Sequence, residues 1–257
     1  MIDNGRMKKT LMAGALLATI GVTAGCTTKT AFGHLSSDDK ASTFNAELGT
    51  NYLAAGELES AETKLQRALE QNPENALANN AYAMLRAELD DPAGADRAFR
   101  KSIRLDVKRA EYRNNYAIFL CDSGKTAEAI AQFVTASENK FYNTPEYALD
   151  NAGVCAMGAS DLALAETHLR SAIRLNPNFA PAMLHMAELK LKTGDANVAD
   201  AYYSRHLSLT RQSPQSLAVG IKVKQAVGEQ SVADEFAQLL ITRYPGSIEA
   251  KNFLAAR

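Results

Sequence analysis

No sign of charge dominates this chain: 28 Lys and Arg stand against 29 Asp and Glu, for a net charge of −1. The basic residues are scattered rather than massed, which excludes the concentrated cationic footprint that nucleic acid requires. No GxSxG elbow and no CxxC pair occurs, so neither a hydrolase nucleophile nor a dithiol redox couple has its motif. The four histidines, His34, His168, His185 and His206, share no ligand-like spacing with Cys, Asp or Glu. No metal site is therefore expected, nor any cofactor or small-molecule substrate. Glycine (15) and proline (7) are modest and no tract is of low complexity, which excludes wholesale disorder. Carboxylates such as Glu57, Glu59, Glu62 and Glu70 read as solvated helix faces, and nothing points to catalysis. What is present is apolar: 46% of 257 residues, enough for one large domain or two small ones.

The first residues differ from the rest. In MKKTLMAGALLATIGVTAGC (Met7 to Cys26), two lysines precede an apolar run too short to span a membrane comfortably, and small residues follow. Residues 1–25 are expected to be a signal peptide. Their removal deletes Asp3, Arg6, Lys8 and Lys9, so the mature charge falls from −1 to about −3. Thr23-Ala24-Gly25-Cys26 resembles a bacterial lipobox, with Thr23 where leucine is usual. The resemblance implies that Cys26 carries acyl chains and becomes the mature N-terminus; the alternative is an ordinary secreted protein with a chance cysteine there. Thr27, rather than Asp, follows the cysteine, which implies an outer-membrane anchor facing the periplasm. Residues 26–41 are polar and read as a tether, about 20 Å end to end for roughly 15 flexible residues.

From residue 42 onward the chain repeats itself. Ala61, Ala95, Ala129, Ala165, Ala199 and Ala233 recur at 34 residues, with one spacing of 36, the tetratricopeptide period. Six units follow, about 42–75, 76–109, 110–143, 146–179, 180–213 and 214–247, with a capping helix over 248–257. The fold class is all-α. Each unit is a pair of antiparallel helices, and the units stack into a right-handed superhelix because no unit buries its apolar face alone. Small residues at the eighth and twentieth positions allow close approach. Large apolar ones at the seventh, eleventh and twenty-fourth fill the space between helices. Gly, Asp or Ser near the fifteenth makes the turn, and Pro near the thirty-second stops the second helix. The two extra residues fall around Phe141 to Pro145, a lengthened loop. Ser123 to Thr126, SGKT, has the look of a phosphate loop, but Phe119 stands where the leading glycine is required and Tyr116 to Leu120 reads as helix.

With Cys26 lipidated, Cys121 and Cys155 remain, late in the first helices of units three and four. The oxidising periplasm favours a disulfide between them; the alternative is two buried thiols acting as small hydrophobes. The concave side is lined by first-helix residues, including Asn80, Met84, Asn114, Ile118, Tyr147 and Val154. Amides beside adaptable apolar groups suit an extended peptide or a helix as partner. The amides equally suit contacts between neighbouring helices.

Six such units behind a lipobox, with NNYAIFLC (Asn114 to Cys121), NAGVC (Asn151 to Cys155) and YPGSIEAKNFL (Tyr244 to Leu254), resemble the type IV pilus biogenesis lipoproteins of the PilF/PilW family. The resemblance covers essentially the whole mature chain. It implies a pilotin: an outer-membrane lipid-anchored scaffold in the periplasm that helps the secretin localise and multimerise. A factor that stabilises the pilus fibre without handling the secretin, and a generic envelope scaffold, are the alternatives.

Overall fold

The computed structural model describes residues 36–256. The expected signal peptide and Cys26 lie outside the described residues. Thirteen α-helices and no strand are found among those described. Six consecutive pairs are α1 (Ser37–Ala54) with α2 (Leu58–Gln71), α3 (Ala76–Glu88) with α4 (Pro92–Leu105), α5 (Ala110–Asp122) with α6 (Thr126–Ser137), α7 (Pro145–Gly158) with α8 (Leu162–Leu175), α9 (Ala180–Lys192) with α10 (Ala196–Leu209), and α11 (Pro214–Ala226) with α12 (Gln230–Arg243). A last helix, α13 (Ile248–Ala255), packs against α11 and α12, its Ser247 side chain accepting the Ala250 N–H at 3.1 Å.

The expected tether ends too late. The first helix starts at Ser37, inside residues 26–41, because Ser36 and Asp39 form a reciprocal capping box. Ser36 Oγ accepts from the Asp39 N–H and Asp39 Oδ2 accepts from the Ser36 N–H, both at 3.1 Å. Acidic Asp38 and Asp39 also favour the positive end of a helix. The polar run that reads as linker is a helix start.

One turn recurs six times. Position fifteen of every unit is left-handed: Gly56, Gly124, Gly194 and Gly228 at φ 73–84°, and Asp90 and Ser160 at 57° and 63°. In each, the next residue's N–H bonds the carbonyl five positions back, as from Lys125 to Leu120 at 2.8 Å. The 6→1 bond satisfies a carbonyl that the helix end would leave bare. SGKT is thus the end of α5, a turn glycine, and the start of α6.

The recurring alanines are fully buried between paired helices, and residues eight and twenty-four of each unit match each other in shape. In units one and four a glycine faces leucine, Gly49 on Leu65 and Gly153 on Leu169. A Cβ on either glycine would lie 2.6 Å from the leucine Cγ. In units two, three and five an alanine shares the core with a ring: Ala83 with Phe99, Ala117 with Phe133, Ala187 with Tyr203. Unit six inverts the pair, Ile221 with Ala237, and Gly220 beside it leaves room for Tyr203, whose hydroxyl would lie 2.1 Å from an added Cβ. A flat ring leaves space that a γ-branched side chain fills. Gly153→Ala alone is therefore expected to destabilise by about 1–3 kcal/mol. Adding Leu169→Phe, which recreates the pair of unit three, should recover at least half of that loss in urea unfolding. Losses that simply add would contradict the pairing.

Position eleven departs from the expectation of a large apolar residue. In units two, five and six it is Arg86, Lys190 and Lys224, which reach back to position twenty-one of the preceding unit: Glu62 at 3.4 Å, Glu166 at 2.9 Å and Asp200 at 2.7 Å. Aliphatic stems fill the space while the charged ends meet an acid at the helix surface. The Lys190 hydrogen bond, with that of Arg170, holds the Glu166 carboxyl below its usual range.

Candidate protein-binding groove

Position nine of units two, three and four supplies an apolar row along the first helices: Met84, Ile118 and Val154. Ile118 and Val154 are 41% and 38% exposed, and Tyr147 beside them 47%. Tyr147 is held edge-on against Phe179, ring centres 4.6 Å apart, so it is a rigid surface aromatic rather than a loose one. Outside these units the ninth residue turns polar, with Thr50 before and Glu188 and Lys222 after.

Of the two roles open to the amides, the structure shows contacts between neighbouring helices. Asn80 is buried at 5% exposure, and its Oδ1 accepts from Asn115 Nδ2 at 3.4 Å. Asn114 Oδ1 accepts from Asn151 Nδ2 at 3.1 Å. These side chains join one first helix to the next instead of waiting for a partner's backbone. The reason is cost: a buried amide must find its hydrogen bonds inside the fold. The third rung is Asp150 Oδ1 accepting from His185 Nδ1 at 2.9 Å. Each rung runs from position five of one unit to position six of the next. Where no rung occurs both positions are apolar, Ala46 with Ala81 and Leu184 with Val219.

Burial alone pushes the His185 pKa down, but the Asp150 hydrogen bond and charge, with Glu188 nearby, more than offset this, and the pKa is raised. Asn151, Asp150 and His185 are absent from the expected groove. The signal for them was the polar pair at positions five and six, which acquires a meaning only once successive units are stacked.

Cys121 and Cys155 are joined by a disulfide, Cα atoms 5.9 Å apart, which ties α5 to α7 across the stack. Cys155 is almost wholly buried and Cys121 only partly.

Hollows follow along the first-helix side. One of about 490 Å³ lies between α3 and α5, lined by Met84, Ile118 and Phe119. Another of about 420 Å³ is lined by Val154, Leu191 and Lys222. A third of about 640 Å³ lies among α11, α12 and α13. Apolar floors with charged rims suit contact with another chain better than turnover of a small molecule.

The chain matches the tetratricopeptide repeat family over residues 47–106. It is 30% identical to the type IV pilus assembly protein PilF of Pseudomonas aeruginosa over 244 residues, covering 94% of this chain and 96% of that one. The structure of Pseudomonas aeruginosa PilF superposes with a TM-score of 0.69 at 29% identity, over 86% of this chain and all of that one. The crystal structure of PilW, described as a widely conserved type IV pilus biogenesis factor, gives 0.70 at 29% identity over 83% and 98% of the two chains. Yeast Tom70, at 19% identity and a TM-score of 0.62, covering 82% of this chain and 44% of that one, shares the fold alone. Matched to PilF over 94% of its length at 30% identity, and superposing on the structures of both PilF and PilW, the chain belongs to the PilF/PilW family of tetratricopeptide-repeat proteins.

Proposed function

We propose that this protein is a scaffold of type IV pilus assembly and, more narrowly, a pilotin: a lipid-anchored periplasmic protein that holds the outer-membrane secretin while it multimerises. The observation that carries the reading is the match to PilF over almost the whole of both chains. Supporting it is the apolar row of Met84, Ile118, Tyr147 and Val154, a surface for a protein segment rather than for a reaction. No helix among the described residues is long and apolar enough to cross a membrane, so the reading assigns attachment to acyl chains on Cys26, each buried methylene contributing about 0.8 kcal/mol. Confinement beside the outer membrane raises the effective concentration of scaffold and secretin, so a modest groove affinity suffices.

The test is deletion of the gene, followed by counting secretin multimers in the outer membrane, with complementation by wild type and by Cys26→Ala. Loss of multimers on deletion, restored by wild type and only partly by the unlipidated variant, is the expected outcome. Secretin rings in normal number and place would end the pilotin reading. Normal rings with missing fibres would select the fibre-stabilising alternative. Normal rings and fibres, with other envelope proteins recovered by affinity pull-down, would select the general scaffold.

A further inference from the structure

The hollow between units two and three has a chemistry that its neighbours lack. Its apolar floor comes from Met84, Phe99, Ile118 and Phe119, and its rim from Glu88, Asp90 and Asp122; no lysine or arginine lines it. The three acids are exposed, and none of them forms an ion pair among the described residues. Glu88 and Asp122 stand at the same place, position thirteen, of successive units, while the equivalent residues elsewhere are Ala54, Gly158, Lys192 and Ala226. The next hollow along the groove carries Lys192 and Lys222 against a single acid, Glu188. Along one continuous side of the first helices, the rim therefore changes from wholly acidic to mainly basic.

Two further details give the hollow direction. Asn115 lines it, and its amide nitrogen is already directed to Asn80 and the Met84 sulfur. Its carbonyl oxygen accepts no hydrogen bond among the described residues and is free to receive an N–H. At about 490 Å³ the space takes one large side chain and its flanks, not a folded domain.

We propose that this hollow is a selective pocket for a partner segment in which a large aliphatic or aromatic residue is flanked directly by arginine or lysine. The apolar residue occupies the floor beside Ile118, and the flanking cations meet Glu88 and Asp122. An acidic segment is rejected by three uncompensated like charges next to an apolar surface, where electrostatics discriminates more than it binds. The proposal rests on the scaffold reading and names the kind of segment the scaffold takes.

The test uses the full chain, purified in mild detergent, and two fluorescent peptides, Gly-Ser-Gly-Arg-Leu-Arg-Gly-Ser-Gly and its counterpart with Glu for each Arg. Fluorescence anisotropy at low salt should show the arginine peptide binding at least tenfold more tightly. The double variant Glu88→Lys, Asp122→Lys changes only exposed side chains; it should invert the preference with an unchanged helical circular dichroism spectrum. Ile118→Ser should weaken the arginine peptide several-fold without changing which peptide is preferred. Equal binding of the two peptides, no binding of either, or a preference that survives the charge reversal would overturn the proposal. Its failure is separable from that of the scaffold reading. Normal secretin rings in the deletion strain would remove the pilotin role without altering peptide preference, and equal peptide binding would leave the deletion phenotype as it stands.

Discussion

Reducing the Cys121–Cys155 bond should lower stability by about 4 kcal/mol, the loop-closure estimate for cysteines 34 residues apart. In an array of this size that corresponds to a fall in melting temperature of about 8–16 °C. The loss should be concentrated in units three and four, because each repeat contacts only its neighbours. Hydrogen exchange should then show α5 to α8 opening ahead of α11 and α12. The Cys121→Ala, Cys155→Ala double variant should behave like the reduced wild type and gain nothing further from reductant. A wild-type melting curve indifferent to reductant would show that the cross-link restrains nothing that packing does not already restrain.

Asp150→Ala should cost about 3 kcal/mol, since it removes a buried carboxylate and leaves the partly buried His185 between α7 and α9 without its acceptor. Asp150→Asn should cost less, because an amide oxygen still accepts from His185 Nδ1, as Asn114 does from Asn151. The two variants also differ from wild type in their pH dependence. With the folded-state pKa of His185 raised above its unfolded value, the pair's stabilisation is fully present below the ordinary histidine pKa of about 6.5. It is lost as pH rises through the folded-state value. The gap between wild type and Asp150→Asn should therefore be widest near pH 5.5 and narrow toward pH 8.5 in urea unfolding. A gap that is constant with pH would mean that the imidazole does not titrate against Asp150.

Much of this architecture is written locally. The alanines at 34-residue intervals, the turn residue at position fifteen and Ser247 ahead of the last helix each act within their own unit, and each is where the repeat places it. Other features depend on the neighbouring unit and stay hidden until the stack is built. Whether Asn80 serves a partner or the next helix stays open until Asn115 is placed against it, and Lys190 departs from the apolar pattern of its position until Glu166 is found one unit back. Unit six looks degenerate in sequence because Ile221 and Ala237 have exchanged sizes, not because its packing is lost. Ser36 and Asp39 were visible as a polar stretch, but a capping box and a linker have the same composition. The acidic rim of Glu88 and Asp122 was legible only as two scattered charges, since the residues are 34 apart and meet across a groove.

The disulfide also sets how the chain responds to being pulled. An unfolding polypeptide lengthens by about 3.4 Å for each residue released. Cys121 and Cys155, 34 positions apart, are bridged by a covalent bond, so about 110 Å of contour is withheld from any stretch applied through the two ends. Force drawn along the backbone bypasses α6 and the long loop before α7, and passes straight from α5 to α7. Under load the middle of the protein is a fixed-length link, and extension has to come from the helices on either side of it.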